Sequence, residues 1–367
     1  MTDRRTAIVF GASGFIGRWL VKELLSRGVP TTAVVRSDTS AAGLLRWLDE
    51  HDARARPATV RADLELEDLG WGEADAPVAT EVYNMAGAYA FGMSTPQARA
   101  ANVDTARRIV SFAATLPGLV RLVHLSGYRV GGQDPTTVPW TPERVATEHR
   151  RLGAYEASKV ESDAVVQAYA ETSGVPWTIV NPSTVIGDSR TGESPQTLGL
   201  ATTVLDLLAG RLPALPGGRD TVVPVVTVDY LATFIALLPT IEDTVGRSYW
   251  VLDEATPALP ALLQLIGVDH GVTVPRLRVP AGLLRRLPTT LTRADPETLS
   301  FLSTDRYPTA PAETIAREHG LTHPDVGESL RRWSRYLRSH HGAVSNSGRR
   351  TAPPSGRTGH ASAASGC

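Results

Sequence analysis

Tyr155 and Lys159 stand four residues apart in the stretch YEASK, and their types and spacing suit acid–base chemistry. On a helix, positions i and i+4 share a face and can reach one ligand. A phenol, with an ordinary pKa near 10, is a poor proton donor at neutral pH, and a neighbouring ammonium draws that pKa down. Lysine can do this while also reaching a sugar hydroxyl; a forked guanidinium cannot replace it cleanly. The chain makes the choice conspicuous, because of 37 Lys and Arg residues only Lys22 and Lys159 are lysine. With nine Tyr in 367 residues, a Tyr-x-x-x-Lys arises by chance about once in twenty such chains. The plain alternative is an exposed helix pair.

A second constellation, VFGASGFIG, spaces Gly11, Gly14 and Gly17 as G-x-x-G-x-x-G between an apolar run and a helix-like segment. Glycine is required where the chain turns sharply and where backbone must approach a pyrophosphate. The helix that follows offers unpaired N–H groups to phosphates. The turn, with Ser13, Phe15 and Ile16, is therefore expected to bind a dinucleotide, although a Gly-rich turn can also exist without a ligand. An acid about 20 residues on, at the end of the second strand, normally takes the ribose 2′-OH of NAD. Here that strand ends Val35-Arg36-Ser37, and Asp38 lies past the expected place. Arg36 suits a 2′-phosphate, and Arg18 offers a second charge, so NADP(H) is expected over NAD(H). A solvated strand-end arginine is the competing reading. Ser126 ends a strand in VHLSGYRVGG and is placed to donate to a substrate oxygen, or simply to make a turn.

These residues need elements to hold them. TAIVF (6–10), TTAVV (31–35), ATVRADL (58–64), EVYNMAG (81–87), LVRLVHLS (119–126) and WTIVNPS (177–183) read as strands. Between the first two, Phe15, Ile16, Trp19, Leu20, Leu24 and Leu25 share a helical face, and Gly28 suits the cap that follows. Helical segments are also expected over about 97–115 and 155–173. Near-continuous apolar strands alternating with helices predict an α/β doubly wound parallel sheet of the Rossmann type, covered on both faces. The expected organisation is an NADP-binding domain over 1–188 and a smaller, mostly helical substrate lobe over 189–342. Residues 220–235 are expected to return to the sheet. The Ser-, Gly-, Ala-, Pro- and Arg-rich stretch 343–367 is expected to be a disordered tail.

Taken together, these residues resemble the extended short-chain dehydrogenase/reductase superfamily. GASGFIG, ADL, YNMAG, ANVDTARRIV, LSGYRVGG, YEASK, IVNPSTVIGD and VPVVTVDYLA occur in that family's order over roughly 6–235. The resemblance implies that Tyr155 exchanges a proton with the substrate oxygen, Lys159 holds the nicotinamide ribose, and Ser126 orients the carbonyl. It also implies that Asn102 supports the site, that Asp63 and Leu64 border the adenine, and that Ala86 and Gly87 line the cofactor cleft. Pro182 and Ser183 would flank the nicotinamide. VVRSDTS…LGW and VIGDSRTGES look like the thioester-reductase-like and fatty-acyl-reductase-like branch, whose members use NADPH. Two departures are noted: no adjoining carrier or adenylation domain is expected, and Asn181 stands where many relatives carry Arg, which bears on substrate contacts. Family members often pair as homodimers through two helices, one bearing the Tyr-x-x-x-Lys.

Composition narrows the function. A formal net charge of -1 offers nothing global to nucleic acid or to an anionic membrane. The only cysteine is Cys367, no run of about 18 apolar residues occurs, and the N-terminus lacks a signal-peptide core, so a cytoplasmic protein is expected. His149, His270, His319, His323, His340 and His341 show no metal-ligand spacing, and His124 reads as a core histidine. Leu283, Leu284 and Leu287 read as core or as the wall of an apolar pocket, and Asp229 as structural. The expected activity is NADPH-dependent reduction of a ketone, aldehyde or acyl thioester on a small-molecule substrate, with a hydrophobic or carrier-bound one among the candidates. A nucleotide-sugar epimerase or dehydratase with retained NAD, and a non-catalytic NADP-sensing protein, are the alternatives. Gly127 and Tyr128, rather than an acid, follow Ser126, which argues against a dehydratase.

Overall fold

The computed structural model describes residues 5–71, 76–87, 92–280, 282 and 302–341. The tail from 342 and the stripe Leu283, Leu284 and Leu287 lie outside the described residues. The chain begins with β1 (Ala7–Phe10), α1 (Phe15–Ser26), β2 (Thr31–Val35), α2 (Asp38–Glu50), β3 (Ala58–Arg61) and β4 (Glu81–Asn84). Next, α3 (Thr95–Arg99) passes through a π-helical turn (Ala100–Asp104) into α4 (Thr105–Thr115), then β5 (Arg121–Leu125), α5 (Pro142–Leu152) and α6 (Ala154–Thr172). There follow β6 (Trp177–Pro182), β7 (Thr184–Ile186), α7 (Leu200–Leu208), β8 (Leu215–Pro216), β9 (Val225–Thr227) and α8 (Val228–Leu237). The last are β10 (Arg247–Val251), α9 (Leu259–His270), β11 (Arg278–Val279), α10 (Ala310–Glu318) and α11 (Val326–His341).

Strand β1 shows why the sequence lacks polar alternation there. All four of its residues are buried. Ala7 and Val9 enter one apolar core with α1 and α2, while Ile8 and Phe10 enter another with α4 and α6. The same split puts Tyr83, Val123 and Val180 on one face and Val82, Leu122 and Ile179 on the other. A sheet covered on both sides needs apolar residues at both parities. Seven strands run in the order β10-β6-β5-β4-β1-β2-β3, every adjacent pair parallel. This is the doubly wound sheet the sequence predicts, with its switch point between β1 and β4.

The return to the sheet comes from a different place than expected. Within 220–235, β9 pairs with β7 in a separate two-stranded sheet, and α8 packs across α1. Only three residues are extended before α8 begins, too few to form a full edge strand. The seventh strand is instead β10, aligned Tyr249↔Val180 beside β6. Its Tyr249 and Val251 are buried and Arg247 exposed, the alternation of an edge strand. Helix α10 packs against it, so parts of the chain beyond residue 188 complete the first core through Ala312, Ile315 and Ala316. A third core gathers α7, α9 and α11 around Val204, Leu262, Leu263, Leu330 and Trp333. Helix α6 is packed against both α4 and α5, so this chain itself covers much of the helix through which pairing is expected. Among the described residues no helix is long and apolar enough to cross a membrane, and no cluster of His, Cys, Asp and Glu could hold a metal ion.

Candidate active site

The glycine turn works by contact as well as by flexibility. Gly11 has φ +73, and a Cβ on it would lie 2.7 Å from the Met85 carbonyl at the end of β4. A Cβ on Gly17 would lie 2.1 Å from the Gly11 oxygen, so only glycine lets α1 start this close to β1. Gly14 is the N-cap of α1 and supplies no side chain to its first N–H groups. That uncapped N-terminus opens on a cleft of about 230 Å³, so the turn fits a dinucleotide pyrophosphate.

The cleft crosses the carboxyl ends of the central strands, where an open α/β sheet binds ligands. Gly14, Phe15, Ile16 and Gly17 form one end. Ala86 and Gly87 after β4, Ser126 after β5, and Pro182 and Ser183 at β6 form the floor. Tyr155, Lys159 and Asn102 line it as well. Helix α6 presents Tyr155 in its first turn and Lys159 one turn later, as the spacing requires. Ser158, between them, donates to the Tyr155 carbonyl at 2.8 Å and accepts from Asn102 Nδ2 at 2.9 Å. Ser162 Oγ donates to the Asn102 carbonyl at 3.1 Å, so Asn102, inside the π-helical turn, is fixed from both ends.

Burial dominates the electrostatics of the centre. Lys159 is 8 % exposed, and its Nζ donates to the Leu125 carbonyl at 3.0 Å. Burial pulls its pKa from 10.5 to about 8, opposed by the charge of Asp163. Burial pushes Asp163 up to about 6, opposed by hydrogen bonds from its neighbours and by Lys159. His124 is buried, and burial followed by the Lys159 charge holds its pKa well below the ordinary value. Asn84 Oδ1 accepts from the Ala86 N–H, so Asn84 Nδ2 donates to His124 Nδ1 at 3.0 Å, which puts the imidazole proton on Nε2. His124 is thus a neutral core residue, as the sequence predicts, but not the fully satisfied one expected, since its Nε2 has no partner among the described residues. The hydroxyls of Ser126 and Ser183 are buried, line the cleft and make no close hydrogen bond among the described residues. Buried polar atoms are ordinarily satisfied, so a ligand oxygen is the natural partner for both.

Other sequence candidates lie outside the cleft. Gly11 packs beneath it, and Ser13 is exposed at the turn. Arg36 is exposed at the end of β2, while the Ser37 hydroxyl caps α2 by accepting from Ser40 N. Asp63 makes a local turn by accepting from Glu65 N at 2.9 Å, and Leu64 packs against the second core. Arg18 is committed elsewhere: it donates to Glu193 at 2.7 Å and lies 4.6 Å from the Trp47 ring centre. Glu193 also accepts from Trp47 Nε1 and pairs with His51, tying the loop after β7 to α1 and α2. Asp229 holds the same loop by accepting from Ser189 N and Oγ, a structural role. Asn181 is fully buried with its amide against Gly131 and is not part of the cleft lining.

Sequence reasoning missed the opposite wall. Ser194, Gln196, Leu198, Ala201 and Trp333 close the cleft from the lobe, with Met85, Leu125 and Tyr128 alongside. Trp333 comes from α11, beyond the reach of the family motifs, and no local signal marks it. Arg61 was also overlooked: it ends β3 directly beside Val35, the residue before Arg36, and its guanidinium lies 3.8 Å from the Asp38 carboxylate. The strand-end position alone carries that signal.

A glycine turn into the first helix, a switch point beside it and a Tyr–Lys pair over the cleft define an NAD(P)-dependent oxidoreductase with an extended short-chain dehydrogenase/reductase fold. Residues 9–235 match the NAD-binding family described as male sterility protein, and the chain belongs to that family, in its thioester-reductase-like branch. It is 28% identical over 291 residues to sterol demethylase protein B of Methylococcus capsulatus, covering 76% of this chain and 79% of that protein. It is 27% identical over 222 residues to dihydroflavonol 4-reductase of Zea mays, covering 58% of this chain and only 60% of that enzyme. Among solved structures, the terminal R domain of the myxalamid PKS-NRPS pathway superposes with a TM-score of 0.73 at 20% identity, covering 93% of this chain and 92% of that one.

Proposed function

We propose that this protein is an NADPH-dependent reductase of an uncharged, largely apolar carbonyl compound: a ketone, an aldehyde or an acyl thioester. The observation that carries the reading is the chemical make-up of the cleft. Among the described residues its lining holds one cation, Lys159, and no carboxylate. A dehydratase of this architecture needs an acid beside the tyrosine, and a nucleotide-sugar enzyme needs cations for a second pyrophosphate. An apolar wall of Leu198, Ala201 and Trp333 supports a greasy substrate instead. The names of two relatives, one a reductase of a flavonoid and one acting in sterol demethylation, agree with that class.

The glycine turn and the N-terminus of α1 would hold the dinucleotide phosphates, and Arg36 with Arg61 would take a 2′-phosphate. Bound there, the reduced nicotinamide supplies a hydride to the carbonyl carbon. Tyr155 gives its phenolic proton to the oxygen that receives the C=O electron pair, so hydride plus proton yield the alcohol. Lys159 stabilises the phenolate left behind, and the Ser126 hydroxyl donates to the same substrate oxygen. For an acyl thioester, loss of the thiolate after addition leaves an aldehyde. Asn102, clamped to Ser158 and Ser162, keeps α6 in register with the cleft.

The test is NADPH oxidation across a panel of ketones, aldehydes and acyl thioesters, run beside NADH. Turnover is expected with NADPH, and Tyr155→Phe is expected to lower it by about 10²–10⁴-fold while NADPH still binds. Turnover by the Phe variant within a few-fold of the parent would overturn the mechanism.

A further inference from the structure

Asp163 is a buried ionisable group that the reaction above does not use. It is 0 % exposed, one helical turn beyond Lys159 on the same face of α6. Its Oδ1 accepts from Gln133 N at 3.1 Å and from Gln167 Nε2 at 2.9 Å, which fixes the carboxyl against the chain after β5. Among the described residues its Oδ2 has no hydrogen-bond partner, and the Ser126 hydroxyl stands close enough to favour its charge. A carboxylate aimed into a dry interior is costly, and it persists where it offsets another charge.

Lys159 is that charge. Among the described residues the titratable groups around the ammonium are Tyr155 and Asp163 on α6 and the neutral His124 on β5; the π-helical turn presents the uncharged Asn102. Among the described residues Asp163 is the one charged group favouring the protonated lysine, beside the Leu125 carbonyl that accepts from its Nζ, and Lys159 is the one charged group favouring the carboxylate. We propose that Asp163 is a positioning residue for the reduction: it is the countercharge that keeps Lys159 an ammonium inside the dry site, and so keeps Tyr155 able to give up its proton. The first half concerns the protein alone; the second rests on the reductase reading.

The scarcity of lysine makes a direct test practical. Lysine labelled with ¹³C at Cε and ¹⁵N at Nζ gives two side-chain signals, from Lys22 and Lys159. In Asp163→Asn, the two donors on Oδ1 hold the amide oxygen in place and only the charge is lost. The Lys159 midpoint is expected to fall by about one pH unit or more, while Lys22 stays put. Asp163→Glu, which keeps the charge, is expected to hold it near the parent value. In turnover, the basic limb of the kcat profile is expected to move to lower pH by the same amount in Asp163→Asn, with activity recovering near pH 6. A purely structural role would instead lower kcat at every pH. An unmoved Lys159 midpoint overturns the countercharge; a moved midpoint in a protein that reduces no carbonyl supports it and removes the reductase reading. If Asp163→Asn does not fold, ¹³Cγ-aspartate labelling of the parent decides: the Asp163 signal must show a step at the Lys159 midpoint, and its absence overturns the proposal.

Discussion

Replacing Lys159 with methionine should make this protein more stable while it destroys turnover. The side chain is nearly buried, and its pKa lies at about 8 rather than 10.5. That displacement corresponds to about 3 kcal/mol spent on keeping the amine charged at neutral pH. Methionine matches its length, packs readily and carries no charge. Against this, the Leu125 carbonyl loses a donor at 3.0 Å, which costs about 1–2 kcal/mol. A net gain of about 1–2 kcal/mol at pH 7 is expected. The sign follows from the depressed pKa: the penalty is complete below about pH 8, fades as pH rises, and is gone above 10.5. The advantage of the Met variant should therefore shrink by about 2 kcal/mol between pH 7 and pH 9.5. Urea unfolding of both proteins at the two pH values, followed by tryptophan fluorescence, measures this. A Met variant no more stable than the parent at pH 7, or a gap that does not change with pH, would refute the idea of a desolvated ammonium at this position.

Three smaller experiments probe the cofactor end. Arg36→Ala is expected to weaken NADPH binding by about 10- to 100-fold, the worth of a charge-assisted hydrogen bond, and to leave NADH binding unchanged; equal losses for both would remove Arg36 from the 2′-phosphate. Gly17→Ala sets a Cβ 2.1 Å from the Gly11 oxygen, backbone against backbone, so loss of dinucleotide binding and about 1–3 kcal/mol of stability are expected by fluorescence titration and thermal melting. As its control, Gly43→Ala meets nothing within 4 Å in the middle of α2 and is expected to stabilise by about 1 kcal/mol.

Much of the site was legible because its parts are local. The glycine turn, the strand end at Ser126 and the Tyr155–Lys159 pair each depend on residues a few positions apart, and backbone geometry converts such spacing directly into proximity. Five of the seven sheet strands were legible because residues buried on both parities have one stable place, between two layers; β3 was also expected, although its ATVR is largely exposed at the sheet edge. The seventh, β10, was missed because RSYWV is half-exposed at a sheet edge, and its partner Val180 is far away in sequence. Arg18 was misread because its fate depends on Glu193, reached only when the loop after β7 folds back over α1.

What the sequence determined alone was the dinucleotide-binding sheet, the turn that opens it and the chemical types gathered at its carboxyl edge, since these follow from short-range periodicity and steric need. Tertiary structure alone decided which distant side chains close the cleft and how buried the centre is. Trp333 reaches the cleft from the last helix, and Asp163 is buried one helical turn from the buried Lys159. Packing between distant segments and the desolvation it brings are properties of the closed fold, and no local pattern encodes them.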